Sequence, residues 1–565
     1  MEQGGTLKSE NDKGTIITNH DKDKASSNTV TIDANGKNDK VEVTLKDVNI
    51  DASRGSEAAV SVTGKGDTTI ELDGDNELKS GAGHAGLEHN KTDTSGELTI
   101  QDKDNNGSLE AAGGFKGAGI GSAGSNDAQV KITGGNITAT TSDDWGAGIG
   151  SGSYGTGTVE ITGGEINATG GYLGAGIGGG CNGSGNVTIS GGTITAAGSD
   201  GAAGIGGGYY NGATVTITGD AVIKNASSTK YGAGIGGGNG SDGNVTISGN
   251  AKIENATGGY GAAGIGGGAF SSPDKIGNGN VVIKDNAKID NVQGGAYGAG
   301  IGGGIYGLSN VTIEGNTKVN ATGGAGGAAI GGGAGAENNS DNNGNQITIK
   351  SNENGSPTIN AVGGGTDEGE KIVIGGAGIG AGCESNADAD ITLEGKVTIT
   401  ATAGKDNVAI GANGIEQEFS GLAEGSSITR YDSEGNDTTL PTDPGYPVPA
   451  DTSSSGGSAD ASVQESVFPG LVVTDKDGQR ISYTSIRGNN VLSIRVGRFT
   501  ASLRASLATL RQLRAEGIDT ITFQTILCST TLSVDELLAM GGEDTEVVLT
   551  HHIRSSTLTV GGKAV

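Results

Sequence analysis

Cysteine is nearly missing from this chain. Three in 565 residues, Cys181, Cys383 and Cys528, are too few and too far apart to supply a disulfide framework. Arginine is scarce over most of the chain, since Arg54 stands alone before residue 430. The five histidines, His20, His84, His89, His551 and His552, neighbour no recognisable nucleophile. A polysaccharide lyase needs a strong base with acidic metal ligands beside it, so these shortages argue against an enzyme. No run is long and apolar enough for a membrane span, and no secretory or lipid signal is visible; Met1-Glu2-Gln3 reads as the start of a trimmed or mature form. A net charge of −29 repels nucleic acid and anionic membrane and attracts metal cations.

Glycine is what the chain has in excess, at 112 residues. Such a composition alone would also suit a disordered segment. Periodicity decides otherwise. The phrase Gly-Ala-Gly-Ile-Gly or a near copy returns about every 29 residues, with its isoleucine at Ile120, Ile149, Ile177, Ile205, Ile235, Ile265, Ile301, Ile330, Ile379 and Ile410. The step from Ile330 to Ile379 is longest and implies an insertion. Each unit adds two short alternating runs, such as Val187-Thr188-Ile189 and Ile194-Thr195-Ala196, separated by Gly191-Gly192. Three runs joined by glycine corners make one three-sided coil that pairs with the coils above and below. Helical solenoids have similar periods, but so much glycine would cost roughly 1 kcal/mol per residue in a helix.

Inward positions keep their chemistry from unit to unit: Val130/Ile132, Val159/Ile161, Val187/Ile189, Val215/Ile217 and Val245/Ile247. At the next inward pair, Ile223/Asn225, Ile253/Asn255 and Ile289/Asn291 replace Ile/Ala, which predicts an internal ladder of hydrogen-bonded amides. The expected architecture is an all-β solenoid, a parallel β-helix of about a dozen three-sided rungs over residues 28–415. Residues 1–27 are expected as an N-terminal cap, 416–466 as a Pro/Ser/Thr/Gly linker, and 467–565 as a small α+β domain. In that domain Leu503, Leu507, Leu510 and Leu513 predict a helix near residues 500–516, and Ser533–Met540 predicts a shorter one. Residues 466–565 carry a net charge of +1, so the acidity lies in the solenoid.

Eleven of the 18 aromatic residues fall between 115 and 306, each within five residues of a phrase isoleucine. Phe115, Trp145, Tyr172, Tyr231, Tyr260 and Tyr297 precede it; Tyr154, Tyr209, Tyr210, Phe270 and Tyr306 follow it. Two aromatic columns are therefore expected along one face or corner. Rings repeating every ~4.8 Å or its multiples can stack on the sugars of a polysaccharide lying along the axis, or pack together to shield bare glycine backbone. Asp102-Lys103-Asp104-Asn105-Asn106-Gly107 follows the opening of a calcium loop, with Asp102, Asp104 and Asn106 as oxygen ligands, but Gly113 stands where the bidentate glutamate belongs. Asp341-Asn342-Asn343-Gly344 is a weaker echo. The glycine runs lack the context of a phosphate loop. Glu160 with Glu165, or Asp143 with Asp144, are the carboxylate pairs considered for glycoside hydrolysis.

Val41–Ile50, Gly96-Glu97-Leu98-Thr99-Ile100, and Gly113-Gly114 leading into Gly117-Ala118-Gly119-Ile120-Gly121 with its copies resemble the secreted carbohydrate-binding β-helix proteins of clostridial and related Gram-positive anaerobes. That resemblance spans roughly residues 28–415. It implies a right-handed parallel β-helix, secreted or cell-surface placement, calcium in some turns, and non-catalytic binding of a plant cell-wall or host polysaccharide. Two other functions stay open: a structural spacer or adhesin that presents the C-terminal domain to a protein partner, and a polysaccharide lyase or hydrolase.

Overall fold

Backbone pairing turns residues one repeat apart into vertical neighbours. In the computed structural model, Ile120, Ile149, Ile177, Ile205, Ile235, Ile265, Ile301, Ile330, Ile379 and Ile410 pair in one unbroken parallel ladder. The structure describes residues 6–8, 13–141, 145–269, 275–338, 344–367, 369, 372–446, 470–475, 480–481, 483–488, 490–496, 500–525, 529–542, 545–552 and 555–564. They divide into two units, Met1–Val448 and Pro449–Val565.

The first unit is a parallel β-solenoid of about fifteen turns. Its first face carries the glycine phrase, its second the Val-x-Ile runs and its third the Ile-x-Ala runs. Each phrase isoleucine is fully buried, a gain of about 1.5–3 kcal/mol per side chain relative to exposure. Ile330 pairs directly with Ile379, so the insertion between them leaves the register intact.

The coil count exceeds the expected dozen because pairing overruns both expected boundaries. Thr6–Lys8 and Lys13–Thr18 already pair in parallel with Val30–Ala34 and Lys40–Lys46, so the segment read as a cap supplies strands. At the other end Ser427–Tyr431 adds a last strand to Thr398–Thr402. The following residues fold over that edge: Ile428 N–H donates to Pro444 O at 3.0 Å and Thr438 N–H to Arg430 O at 2.8 Å. The Ser-rich stretch read as linker, Asp451–Gly457, lies outside the described residues.

Of the expected asparagine ladder one rung forms, and it sits on the outside, while the Asn255 and Asn225 amides donate to Lys224 O and Ser227 Oγ. A one-residue bulge shifts the third-face register at Ile194/Thr195 and again between Ile289 and Val292. It brings Ala226, Ala256 and Val292 inward, each at most 1 % exposed, and turns Asn225, Asn255 and Asn291 away from the interior. Asn291 Nδ2 donates to Asn255 Oδ1 at 3.1 Å on the solvent side. An aliphatic interior leaves no unpaired amide to desolvate, which is the cheaper arrangement.

Where the glycine phrase first appears, a glutamate replaces its last glycine: Glu88 pairs with Gly121. In later coils the phrase alanine donates its N–H to a backbone carbonyl, as Ala118 does to Ser122 O at 3.1 Å. Here the buried Glu88 carboxylate takes that N–H from Ala85 at 3.1 Å, and also binds His84 Nδ1 at 2.7 Å and Asn90 Nδ2 at 3.0 Å. The next residue, His89, is 2 % exposed over Val62, and its Nδ1 has no hydrogen-bond partner among the described residues. Burial, aided by the charge of Lys91, pushes its pKa below 6.5, against a raising bond to the Gln129 backbone. The unfolded chain then binds a proton that the folded chain refuses. Stability from this site is complete above pH ~6.5 and falls as pH drops toward the folded pKa. The difference in melting temperature between wild type and His89→Leu should therefore shift in favour of the variant between pH 8 and pH 5, which a pair of thermal scans checks; a constant difference would show that His89 stays neutral in both states.

In the second unit Val472–Thr474, Ala501–Ser506, Glu546–His552, Ser555–Val560 and Lys563–Ala564 form one antiparallel sheet. Thr484–Gly488, Val491–Arg495, Thr520–Gln524 and Ser529–Ser533 form a second, mixed one. The expected long helix is shorter, Leu507–Ala515. Leu503 belongs to the strand before it, where Ala501, Leu503 and Ala505 are buried alternately. The period changes at Ser506, whose side chain caps the helix by accepting from Thr509 N. Val534–Leu538 is the second helix.

Candidate functional site: the aromatic corners

Each coil turns two corners beside the glycine phrase, and in most coils the turn uses a left-handed residue. Four residues before the isoleucine these are Lys116, Leu173, Tyr231, Tyr297 and Asp406, with φ between 52° and 73°; Gly201, Gly261 and Gly326 hold the same place in sister coils. Five residues after it come Ser125, Tyr154, Asn182, Tyr210, Tyr306 and Glu384, with φ between 52° and 68°, alternating with Gly240 and Gly335. Glycine fits such a corner without strain, whereas an L side chain there costs on the order of 1 kcal/mol. Five tyrosines, Tyr154, Tyr210, Tyr231, Tyr297 and Tyr306, nevertheless occupy these places.

The rings gather as the spacing implies. Tyr231 and Tyr260 lie 6.1 Å apart at 86°, and Tyr260 and Tyr297 lie 5.7 Å apart at 69°, an edge-to-face ladder over three coils. Phe115 and Trp145 are 6.0 Å apart, and Trp145 meets Tyr154 of the second column edge-on at 6.4 Å. Tyr172 is 47 % exposed and makes no ring pair among the described residues. Phe270 lies outside them. Tyr209 and Tyr210 pack at 3.8 Å, and burial followed by the Tyr210 hydroxyl pushes the Tyr209 pKa up to about 12. Tyr209 also lies against Gly201, and Tyr306 against Gly335, so closely that a Cβ on either glycine would meet the ring. Those two rings shield backbone. Tyr306 is nevertheless exposed, as are most of the others: among the described residues, seven of the eleven exposed large apolar side chains are Phe115, Tyr154, Tyr172, Tyr210, Tyr231, Tyr260 and Tyr306. Lysines stand over two groups, Lys116 Nζ 5.1 Å from both the Phe115 and Trp145 rings and Lys275 Nζ 4.2 Å from that of Tyr210.

The calcium-loop residues form a self-closed turn. Asp102 is buried, and its carboxylate oxygens accept the Asn106 N–H at 3.1 Å and the Gly107 N–H at 3.0 Å. Asn105 turns the chain at φ 57°, while Asp104 and Asn106 are exposed. A cation would have to compete for the Asp102 oxygens and recruit two solvated side chains. Among the described residues no three His, Cys, Asp or Glu side chains gather into a metal-binding group. Asp341, Asn342 and Asn343 lie outside the described residues, as do Asp143, Asp144 and Cys528. Of the other carboxylate pair, Glu160 is ion-paired to Lys131 at 3.0 Å on the second face and Glu165 is exposed on the third. Cys181 and Cys383 are buried and free, and burial pushes each thiol up to about 11. No helix of the described residues is long and apolar enough to cross a membrane.

Sequence reasoning located the rings but missed their backbone. The signal was available: tyrosine and glycine exchange at a fixed phase, and glycine at a fixed phase in a coil marks a positive φ. No curated protein and no solved structure matches the chain. The Beta helix repeat model matches residues 130–153, 159–181, 187–209 and 245–269. Each match opens on an inward valine and closes four residues past a phrase isoleucine, so it takes in a strand from each of the three faces; the chain is a parallel β-helix protein.

Proposed function

We propose that the solenoid is a non-catalytic, extracellular polysaccharide-binding surface on which the exposed corner rings stack against sugars of a chain running along the axis. The observation that carries this reading is the set of left-handed tyrosines. Shielding the backbone rewards burial, as Tyr209 shows, yet Tyr154 and Tyr231 pay conformational strain and remain 57 % and 40 % exposed. Strain kept at an exposed position, where glycine would relieve it, points to a ligand. The acidic charge of the solenoid and the edge-to-face ladder both suit a carbohydrate better than nucleic acid or an anionic membrane. Nothing in this reading runs through calcium, because the Asp102 turn is closed by the protein's own amides.

The test exploits the glycine found at the same corners. Tyr231→Gly with Tyr297→Gly and Tyr260→Ala should leave the melting temperature unchanged or raised while retention on insoluble cellulose, pectin or mucin falls about a hundredfold, from three stacking contacts of about 1 kcal/mol each. Lost stability with intact retention would mean that the tyrosines are shields. Failure of the wild-type chain to bind any of the three supports would favour the spacer reading.

A further inference from the structure

At the N-terminal end of the aromatic column the surface opens into a depression of about 380 Å³, within the size range of small-ligand sites. Ser53, Lys79, Ser80, Phe115, Thr140 and Thr141 line it, over the backbone of Ala112–Gly114. These residues come from four successive coils, paired as Asp51 to Lys79, Ala112 to Lys79 and Ala112 to Thr140, so the depression runs roughly 14 Å along the axis at ~4.8 Å per strand. Its floor is bare because it must be: a Cβ on Gly113 would lie 2.1 Å from Ala118 O and one on Gly114 2.0 Å from Gly81 O. The Phe115 ring borders it and is 43 % exposed.

The charges around it are mixed, with three cations and three carboxylates close by. Lys79 is part of the wall. Arg54, the sole arginine before residue 430, follows Ser53 and is exposed. Lys116 follows Phe115 and holds its Nζ 5.1 Å from that ring's centroid. Glu77 pairs with Lys79, and Asp51 and Glu110 act on it by charge. The Lys79–Glu77 pair is half-exposed, and such surface pairs contribute only ~0–1 kcal/mol, so an incoming carboxylate can replace Glu77 at little cost. An aromatic platform, serine and threonine hydroxyls and a lysine held only by a half-exposed ion pair are the chemistry of a carboxylated sugar. We propose that this depression is a subsite for a uronic-acid unit, with the sugar ring on Phe115 and the carboxylate against Lys79 and Arg54. The inference rests on the carbohydrate reading but uses none of the Tyr231, Tyr260 and Tyr297 ladder.

Titration of the full chain with trigalacturonate and with neutral maltotriose tests it. Trigalacturonate should bind about tenfold more tightly than maltotriose; Lys79→Gln and Arg54→Gln should each remove most of that preference, and Phe115→Ala should weaken both ligands. Raised salt should act on trigalacturonate alone. Equal affinity for the two sugars, or an unchanged preference in the Lys79→Gln/Arg54→Gln double variant, overturns the proposal. Arg54 is exposed, so its variant keeps the test valid if Lys79→Gln proves unstable. The ladder variant described above separates the two claims. If it loses polysaccharide but keeps trigalacturonate, both sites stand; if wild type binds polysaccharide through the ladder yet shows no uronate preference, the subsite alone falls.

Discussion

Arg430→Met should destabilise the solenoid by about 3–5 kcal/mol, the usual cost of stripping one partner from a buried ion pair. Arg430 occupies the inward column filled by Ala139, Ala168, Ala196, Ala226, Ala256, Val292, Ala321, Ala361 and Ala401 in the preceding coils. At the last coil no further alanine follows, and the guanidinium fills the end of the interior with 0 % exposure. Nε and Nη2 grip Asp443 at 2.7 and 2.9 Å, Nη2 donates to Gln417 O at 2.8 Å, and Nη1 reaches Glu416. Both carboxylates are tied down in turn, Asp443 by Leu440 N–H at 2.9 Å and Glu416 by the N–H groups of Ala409 and Ile410 at 2.7 and 3.1 Å. Burial alone would lower the arginine pKa; the bonds to Asp443 and the charge of Glu416 outweigh it and hold it above the ordinary value.

Removing the arginine leaves two stranded carboxylates and frees the segment that covers the terminal strand. The loss should be local at first, because a solenoid coil is stabilised by its immediate neighbours. Hydrogen exchange should show lost protection at Ser427–Tyr431 and Thr398–Thr402 before the middle coils respond, and the uncovered edge should promote self-association. Adding Asp443→Leu to Arg430→Met should recover part of the stability, since it removes one orphaned charge. A variant as stable as wild type would show that the clamp is not what closes this end.

What could be read ahead of the structure was whatever repeats. The phrase isoleucines and the Val-x-Ile pairs are each seen ten or so times, and repetition at one spacing leaves parallel stacking as the only economical burial. The aromatic columns followed from the same spacing. Single events were not legible. A one-residue bulge moved Asn225, Asn255 and Asn291 outward, yet strict alternation assigns them inward, because period-two reasoning has no place for an unpaired residue. Leu503 carried the helical stripe into a strand for a similar reason: the change of period falls within one turn at Ser506. Arg430 was not singled out because its role depends on being the last member of a column, and the column is visible only once the coils are aligned. The depression beside Phe115 draws on four coils at the least regular end of the repeat, where the phrase had not yet settled.

Gly236→Ala should be as damaging as the loss of Arg430, and for a backbone reason. The last glycine of each phrase has φ between 132° and 150° from Gly121 to Gly411, and its missing side chain would point at the coil above. A Cβ at Gly236 would lie 2.1 Å from Gly266 O, and one at Gly206 would lie 2.0 Å from Gly236 O. Those carbonyls are ladder acceptors and cannot retreat: Gly237 N–H donates to Gly266 O at 2.9 Å. The substitution must either push two coils apart or rotate the peptide out of the ladder. Conformational strain of about 1–3 kcal/mol and overpacking of about 1–3 kcal/mol together predict roughly 3–5 kcal/mol. Gly83→Ala supplies the comparison, since Gly83 has φ 91° but nothing within 4 Å of its Cβ position. It carries the strain without the overlap, and should cost only about 1 kcal/mol. Because each coil leans on its neighbours, breaking the ladder at Gly236 should also make the coils on each side unfold separately in urea, adding a transition relative to wild type. Equal losses for Gly83→Ala and Gly236→Ala would mean that φ alone selects glycine in the phrase, and that the close approach of the coils plays no part.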